Sequence, residues 1–270
     1  MFSKLIIRKK KNMIPQLKLE KENVKNVLAT FIRNEIIQAG MKSAVLGLSG
    51  GVDSALAAYL SVEALGRENV HCVMMPYRSS SVDSIRHARM VIKALGIGFE
   101  LIEITPMVQP FLDMNPDMDS VRKGNIMARE RMIILFDRSA REKGLVIGTG
   151  NKTEILLGYS TLHGDSACGI NPLGNLYKTQ IWQLAEHMGV PEEIIRKAPS
   201  ADLWEGQTDE DELGFEYRQV DELLYFMIDD GRDSNELQAM GFDKDYVLRV
   251  QKRVQQYDFK QRLPRIACLS

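Results

Sequence analysis

The chain is predicted to be an α/β protein: a parallel sheet with helices on both faces, followed by a helical C-terminal part. Three observations carry this expectation. Short apolar runs alternate with stretches of helical spacing through roughly the first 150 residues, as in parallel α/β proteins. Glycine or proline punctuates these segments (Gly40, Gly66, Pro76, Gly96). From Lys178 onward the pattern is helical with capping turns.

Each element has its own basis. In residues 19–39, Val24, Val27, Leu28, Phe31, Ile32 and Ile36 recur at three- and four-residue steps, which predicts a helix closed by Gly40. Residues 45–48 form a first strand that turns through two glycines into a helix over 53–65, stopped by Gly66. Residues 70–75 form a second strand ending at Pro76, and 82–95 a helix stopped by Gly96. Residues 99–104 read as a third strand and 126–143 as a long amphipathic helix. A fourth strand over 145–147 runs into Gly148-Thr149-Gly150-Asn151, and a helix over 246–257 closes the chain. No repeat, low-complexity tract or linker interrupts this series. One domain over residues 1–270 is expected, with 1–18 as a frayed terminus.

Composition narrows the function. With 44% hydrophobic and 26% charged residues, the chain of 270 has the balance of a globular protein with a real core. A formal net charge of −1 argues against bulk attraction to nucleic acid or anionic membrane, so any anion must be held by a local site. Cys72, Cys168 and Cys268 are odd in number and widely spaced, which fits a reducing cytoplasm, with Cys72 a small core residue. No apolar run approaches the roughly 18 residues of a membrane span. The basic start (Lys4, Arg8, Lys9, Lys10, Lys11) lacks the apolar core of a signal peptide and receives no function.

The most informative stretch is Leu48-Ser49-Gly50-Gly51-Val52-Asp53-Ser54. Adjacent glycines let the backbone turn and bring N–H groups to an anion, while the following helix adds its positive N-terminal dipole. Asp53 is a hard oxygen ligand suited to magnesium bridging phosphates. The lysine of a Walker loop is missing. The alternative is an ordinary turn between strand and helix. Gly148–Glu154 is a second candidate ligand loop at a strand end, although Glu154 is also favoured in any first helical turn. Gly124-Asn125-Ile126-Met127-Ala128-Arg129-Glu130-Arg131 begins the long helix, where charged residues can be a solvated face. Lys178 opens a helix, where a cation opposes the dipole unless an anion is bound beside it. Ligands in parallel sheets lie beyond the carboxyl ends of strands, so both loops are expected in one crevice.

Ser-Gly-Gly-x-Asp-Ser resembles the pyrophosphate loop of the N-type ATP pyrophosphatases. The ordered series SGGVDS, GNIMARERM, GTGNKTE, NPLGNLYKTQ, PSADLWEGQTDEDELG and FKQRLP, spread over about Ile36 to Pro264, is similar to that of the NAD synthetases. The resemblance implies the adenine nucleotide alpha hydrolase-like, Rossmann-like fold. It implies ATP-dependent amidation of deamido-NAD by ammonia through an adenylated carboxylate, with release of AMP and pyrophosphate. By position, Gly47, Ser49, Gly50, Gly51 and Ser54 match the ATP loop, and Thr149, Lys178 and Ser200 match further ATP contacts. Asp53 and Glu154 match magnesium ligands, while Arg129 and Lys260 match deamido-NAD contacts. Asp53, Lys178 and Asp165 match catalytic positions, Asp165 lying near the ammonia site.

The acceptor half departs from the pattern: Leu162 and Gly169 replace a lysine and an aspartate of the family, and Phe259 stands where many members have histidine. About forty residues precede the loop, too few for the glutaminase domain of glutamine-dependent relatives. The resemblance therefore implies free ammonia, or a separate glutaminase, as nitrogen source. It also implies a homodimer, with helices 19–39 and 126–143 as candidate contacts. Two rivals remain: an ATP pyrophosphatase acting on a different acceptor, and a nucleotide-binding protein without turnover. A tRNA-modifying relative would bring cysteine pairs and a basic surface, which this chain lacks.

Overall fold

Four parallel strands in the order β3-β2-β1-β4 form the centre of the protein. The structure is a computed structural model and describes residues 13–200, 208–262 and 264–268. Helix α1 (Lys21–Gln38) leads to β1 (Ser43–Gly47), α2 (Val52–Leu65), β2 (Val70–Met74), α3 (Val82–Leu95) and β3 (Gly98–Leu101). Then come α4 (Thr105–Asp113), α5 (Ser120–Glu142) and β4 (Gly144–Val146). The helical remainder comprises α6 (Lys152–Leu157), α7 (Lys178–His187), α8 (Glu192–Arg196), α9 (Asp209–Leu213), α10 (Tyr217–Leu224), α11 (Ser234–Ala239) and α12 (Lys244–Tyr257).

The sheet is covered on both faces, and the two-residue period of its strands assigns the residues. Ala44, Leu46, Cys72 and Met74 point into a core shared with α1, α2, α3 and α7, whereas Val45, Val73 and Met75 face a second core with α4 and α5. Helix α2 is buried along most of its surface, and its alanines at 55, 57, 58 and 64 allow the close approach of its neighbours. A third cluster, built on Leu157, Tyr177, Tyr217, Leu223, Leu224, Val247 and Val250, unites the C-terminal helices.

Several expectations need correction. Residues 13–18, expected to fray with the preceding dozen, are packed: Leu17 is 2% exposed and its carbonyl accepts from Gln183 Nε2 at 2.9 Å. Residues 1–12 lie outside the described residues. The third strand stops at Leu101 rather than 104, because Pro76 opposite has no N–H to continue the ladder; only the Ile102-to-Met74 and Ile104-to-Pro76 bonds extend it. The long helix starts at Ser120 rather than near 124–126, capped by Asp119 Oδ1, which accepts from the Arg122 N–H at 2.8 Å. Helix α4 went unread, although Pro106 in its first turn is an ordinary start signal. Remaining boundaries differ by one or two residues.

The strand order positions the site. The chain runs outward from β1 to β2 to β3 and then returns to place β4 on the other side of β1. The loops after β1 and β4 therefore leave neighbouring strands in opposite directions, which opens a crevice at their carboxyl ends.

Candidate active site

That crevice is a cavity of about 460 Å³. The loop after β1 forms one wall. Ser49 and Ser54 staple it: their hydroxyls are 3.0 Å apart, the Ser49 N–H donates to Ser54 Oγ at 3.2 Å, and Ser54 Oγ donates to the Gly51 carbonyl at 3.0 Å. Gly47, Ser49, Gly51, Asp53 and Ser54 all line the cavity. Gly50 does not; its part is conformational. It has φ +82°, and a Cβ there would lie 2.1 Å from the Ser84 carbonyl oxygen. Both a disfavoured backbone region and a rigid clash oppose any side chain. Gly50→Ala should displace the loop and weaken ATP binding by an order of magnitude or more, since the strain alone is on the order of 1–3 kcal/mol. Equilibrium dialysis with ATP reads this directly, and unchanged affinity would disprove it.

The loop after β4 forms the opposite wall through Thr149 and Glu154. Asn151 caps α6 in a reciprocal box: its Oδ1 accepts from the Glu154 N–H at 3.0 Å, and its own N–H donates to Glu154 Oε2 at 3.1 Å. Its Nδ2 also donates to Asp53 Oδ1 at 2.9 Å, tying one loop to the other. Lys178, the first residue of α7, is only 2% exposed, with Nζ 2.5 Å from Asp53 Oδ2 and 3.5 Å from Glu154 Oε1. The ring of Tyr217 lies 5.2 Å from the same nitrogen.

The electrostatics of this floor are those of a cation set among acids. Burial opposes the Lys178 charge, yet Asp53, Glu154 and Asp209 more than offset it and hold the ammonium protonated well above the usual range. Burial pushes the Glu154 carboxyl up despite Lys178, and the nearby Asp53 charge adds to the rise. Asp209 is likewise pushed up by burial, while accepting hydroxyls from Tyr159 at 3.1 Å and Tyr217 at 3.0 Å.

Asp165, Lys260 and Ser200 also line the cavity. Asp165 Oδ1 accepts the Thr161 N–H at 2.7 Å. Although its side chain faces the cavity, desolvation by the surrounding wall raises its carboxyl pKa, opposed by that N–H and by Lys260. Lys260 Nζ donates to the carbonyls of Gly158 at 2.8 Å and Ser160 at 2.6 Å, and burial lowers its pKa.

Two expectations are adjusted by the geometry. Arg129 does not line the cavity; its Nε and Nη2 donate to the Leu162 carbonyl at 3.3 and 3.2 Å, beside the turn that carries Asp165. Arg131, from the same motif, lines it instead and donates from Nε to the Met75 carbonyl at 3.0 Å. Leu162 and Gly169 also lie off the cavity wall. Gly169 N–H bonds the Val146 carbonyl at 2.8 Å, and a Cβ there would meet Leu145 Cδ2 at 3.0 Å. Of the motif spanning 199–214, residues 201–207 lie outside the described residues. Asn151, Asp209 and Tyr217 join the site beyond the residues that the sequence motifs single out. Asn151 and Asp209 stood inside quoted motifs, where their type alone signalled polar contacts; Tyr217 carried no local signal.

Fold and pocket together define an N-type ATP pyrophosphatase: a parallel α/β protein whose glycine loop, buried lysine and carboxylates meet at the carboxyl end of the sheet. The family model described as NAD synthase matches residues 24–264, and the chain belongs to that family. It is 55% identical over 255 residues to an NH(3)-dependent NAD(+) synthetase of Trichlorobacter lovleyi, covering 94% of this chain and 93% of the relative. Among solved structures, it is similar to an NMN synthetase from Francisella tularensis (TM-score 0.83, 32% identity, 93% of this chain and 99% of that one). It is also similar to an NH3-dependent NAD synthetase from Campylobacter jejuni in complex with the nitrate ion (TM-score 0.80, 32% identity, 93% and 100%).

Proposed function

We propose that this pocket is the site where the enzyme, an ammonia-dependent ligase of the NAD synthase family, amidates deamido-NAD to NAD with ATP. The observation that carries the assignment of roles is the Lys178 ammonium, set between Asp53 and Glu154 beneath the glycine loop. A carboxylate is a poor acyl donor because its leaving group would be oxide. Adenylation removes the difficulty: the nicotinate carboxylate attacks the α-phosphorus of ATP, the bond to the β-phosphate oxygen breaks, and pyrophosphate leaves with the electron pair. Ammonia then attacks the mixed anhydride, AMP departs, and one proton is released.

The chain's residues divide this work. The glycine loop from Gly47 to Gly51 and the positive end of α2 hold departing phosphate charge, with Gly50 setting the turn and Ser49 and Ser54 pinning the loop. Lys178 counters the same charge, and Thr149 and Ser200 complete the nucleotide contacts. Asp165 holds ammonium and takes its proton, the role supported by its raised pKa and its place on the cavity wall. Arg129 and Lys260 serve the acceptor side, Arg129 by fixing the Leu162 carbonyl next to Asp165.

Magnesium fits the residues present. The donors are hard carboxylates whose oxygens already hold a cation, the lysine ammonium. Asp53 and Glu154 would hold the ion together with nucleotide phosphates, as this metal prefers one or two carboxylates plus substrate oxygens. Among the described residues no group of three or more potential ligands stands ready, which suits an ion that arrives with the nucleotide. Once bound, it would neutralise phosphate charge.

Beyond the pocket, we infer a homodimer, supported by exposed Val27 and Ile37 on α1 and exposed Ile133 and Phe136 on α5. Ammonia comes free or from a separate glutaminase. A cytoplasmic setting is supported by the three cysteines, all unpaired. Among the described residues, no helix is long and apolar enough to cross a membrane.

Deamido-NAD is favoured over other acceptors by the 55% identity to the Trichlorobacter relative. The test incubates the purified protein with ATP, magnesium and ammonium, adding deamido-NAD, nicotinate mononucleotide or no acceptor. AMP and NAD should form in equal amounts with deamido-NAD and neither without it. AMP formed faster with the mononucleotide would overturn the choice of acceptor.

A further inference from the structure

Among the described residues, Asp221 is a fully buried carboxylate that takes no part in the chemistry above. Asp221, in the middle of α10, is 0% exposed and lies outside the cavity wall. Its Oδ1 accepts the Thr153 hydroxyl at 2.6 Å and its Oδ2 accepts the Thr179 N–H at 2.8 Å. Thr153 Oγ1 in turn accepts the Lys178 N–H at 3.0 Å. One side chain thus stands at the junction where the first turns of α6 and α7 meet. A carboxylate is well suited there, because it accepts one hydroxyl from the start of α6 and one backbone N–H from the start of α7, beside two positive helix ends. Thr153 immediately precedes Glu154, and Thr179 immediately follows Lys178.

A second contact from the same element repeats the arrangement further out. Helix α10 passes into a π-helical turn over Tyr225–Asp229, with the Asp230 N–H bonded to the Tyr225 carbonyl at 3.0 Å. Asp229 accepts Lys152 Nζ at 2.6 and 2.8 Å and the Tyr177 hydroxyl at 3.0 Å. Lys152 is the first residue of α6, and Tyr177 is the N-cap of α7. In regular α-helix a residue eight positions on lies roughly 80° around the axis. The wider π turn advances less per residue and so swings Asp229 back towards the face of Asp221. Both carboxylates therefore grip the same two helix starts.

We propose that Asp221 is a positioning residue that sets Glu154 against Lys178 by bonding Thr153 and the Thr179 N–H, with Asp229 as its outer partner. Burying an ionised carboxylate is costly unless it is fully hydrogen-bonded, and fold alone does not require one at a helix junction. What this junction controls is the separation of the two side chains assigned to metal and pyrophosphate. The proposal rests on those assigned roles.

The experiment uses the full chain and steady-state AMP formation, with ATP, deamido-NAD and magnesium varied in turn. Thr153→Val removes the hydroxyl at nearly constant volume, Thr153→Ser restores it, and Asp221→Asn keeps the shape while removing the charge. Positioning predicts that Thr153→Val and Asp221→Asn lower kcat on the order of 10²-fold, the scale of an ångström-sized misplacement. The half-saturating magnesium concentration should rise and KM for deamido-NAD should stay unchanged. Thr153→Ser should return kcat to within a few-fold of the wild type, and Asp229→Asn should give a smaller loss of the same kind. A merely structural role would lower the unfolding temperature while leaving kcat of the folded fraction and the magnesium dependence as they were, and that result would overturn the proposal. If Asp221→Asn does not fold, the Thr153 pair decides by the same criterion. Lys178→Met separates the two levels. Full turnover in that variant would sink the catalytic assignment itself, whereas a dead Lys178→Met beside a fully active Thr153→Val would sink the brace alone.

Discussion

Replacing Lys178 with methionine is expected to lower AMP formation by roughly 10²–10³-fold, the usual loss when one preorganised electrostatic contact to a transition state is removed. The KM for deamido-NAD should change little, because Lys178 is assigned to the leaving pyrophosphate and not to the acceptor. Stability should also change little. Methionine has a similar length, and the Lys178 side chain is already buried, with the Tyr217 ring near its end. The desolvation cost of a buried ammonium disappears with it. Asp53 and Glu154 lose their cation, but their side chains are 16% and 17% exposed to the cavity, so water can solvate them. A turnover within threefold of the wild type would remove Lys178 from the mechanism.

Asp53→Asn should have the same effect on activity and the opposite effect on stability. The amide keeps an oxygen ligand but loses the charge that draws magnesium, so AMP formation should fall on the order of 10³-fold and recover in part at high magnesium. Here the buried ammonium of Lys178 is what remains, stripped of its partner at 2.5 Å. Breaking a fully buried pair in this way costs about 3–5 kcal/mol. Glu154 and the Tyr217 ring stay beside the ammonium, so the loss should be smaller and the fold retained. Combining Asp53→Asn with Lys178→Met should restore stability without restoring activity. Denaturant titration of the three variants checks the order, and a double variant no more stable than Asp53→Asn would contradict it.

β1, β2 and the helices beside them were legible because strands buried on both faces read as short apolar runs, and α3 has one clear apolar side. The glycine loop was legible because its conformation demands glycine: Gly50 can carry no side chain beneath the Ser84 carbonyl. Helix α4 is harder to read, since it is short, carries an internal proline at Pro110 and is separated from β3 by only three residues. The start of α5 was hidden because Gly124 looks like a boundary, whereas Asp119 supplies the real cap. Arg129 and Arg131 lie on one helix two residues apart, so their side chains cannot share a face, and local pattern cannot say which side the cavity lies on. Asp221 and Asp229 were invisible for a deeper reason. They act on Thr153, Thr179 and Lys152, which are more than forty residues away, and a lone aspartate in a helical stretch carries no trace of such partners.

The strand order also bears on how the protein comes into being. β4 pairs with β1 across a separation of on the order of a hundred residues, a non-local contact of the kind that slows folding. The half of the pocket that carries Glu154 hangs on that pairing. An emerging chain whose first three strands have assembled holds the glycine loop but not the wall that faces it. A nucleotide that bridges both walls of the pocket favours the chain in which β4 has paired with β1, by mass action.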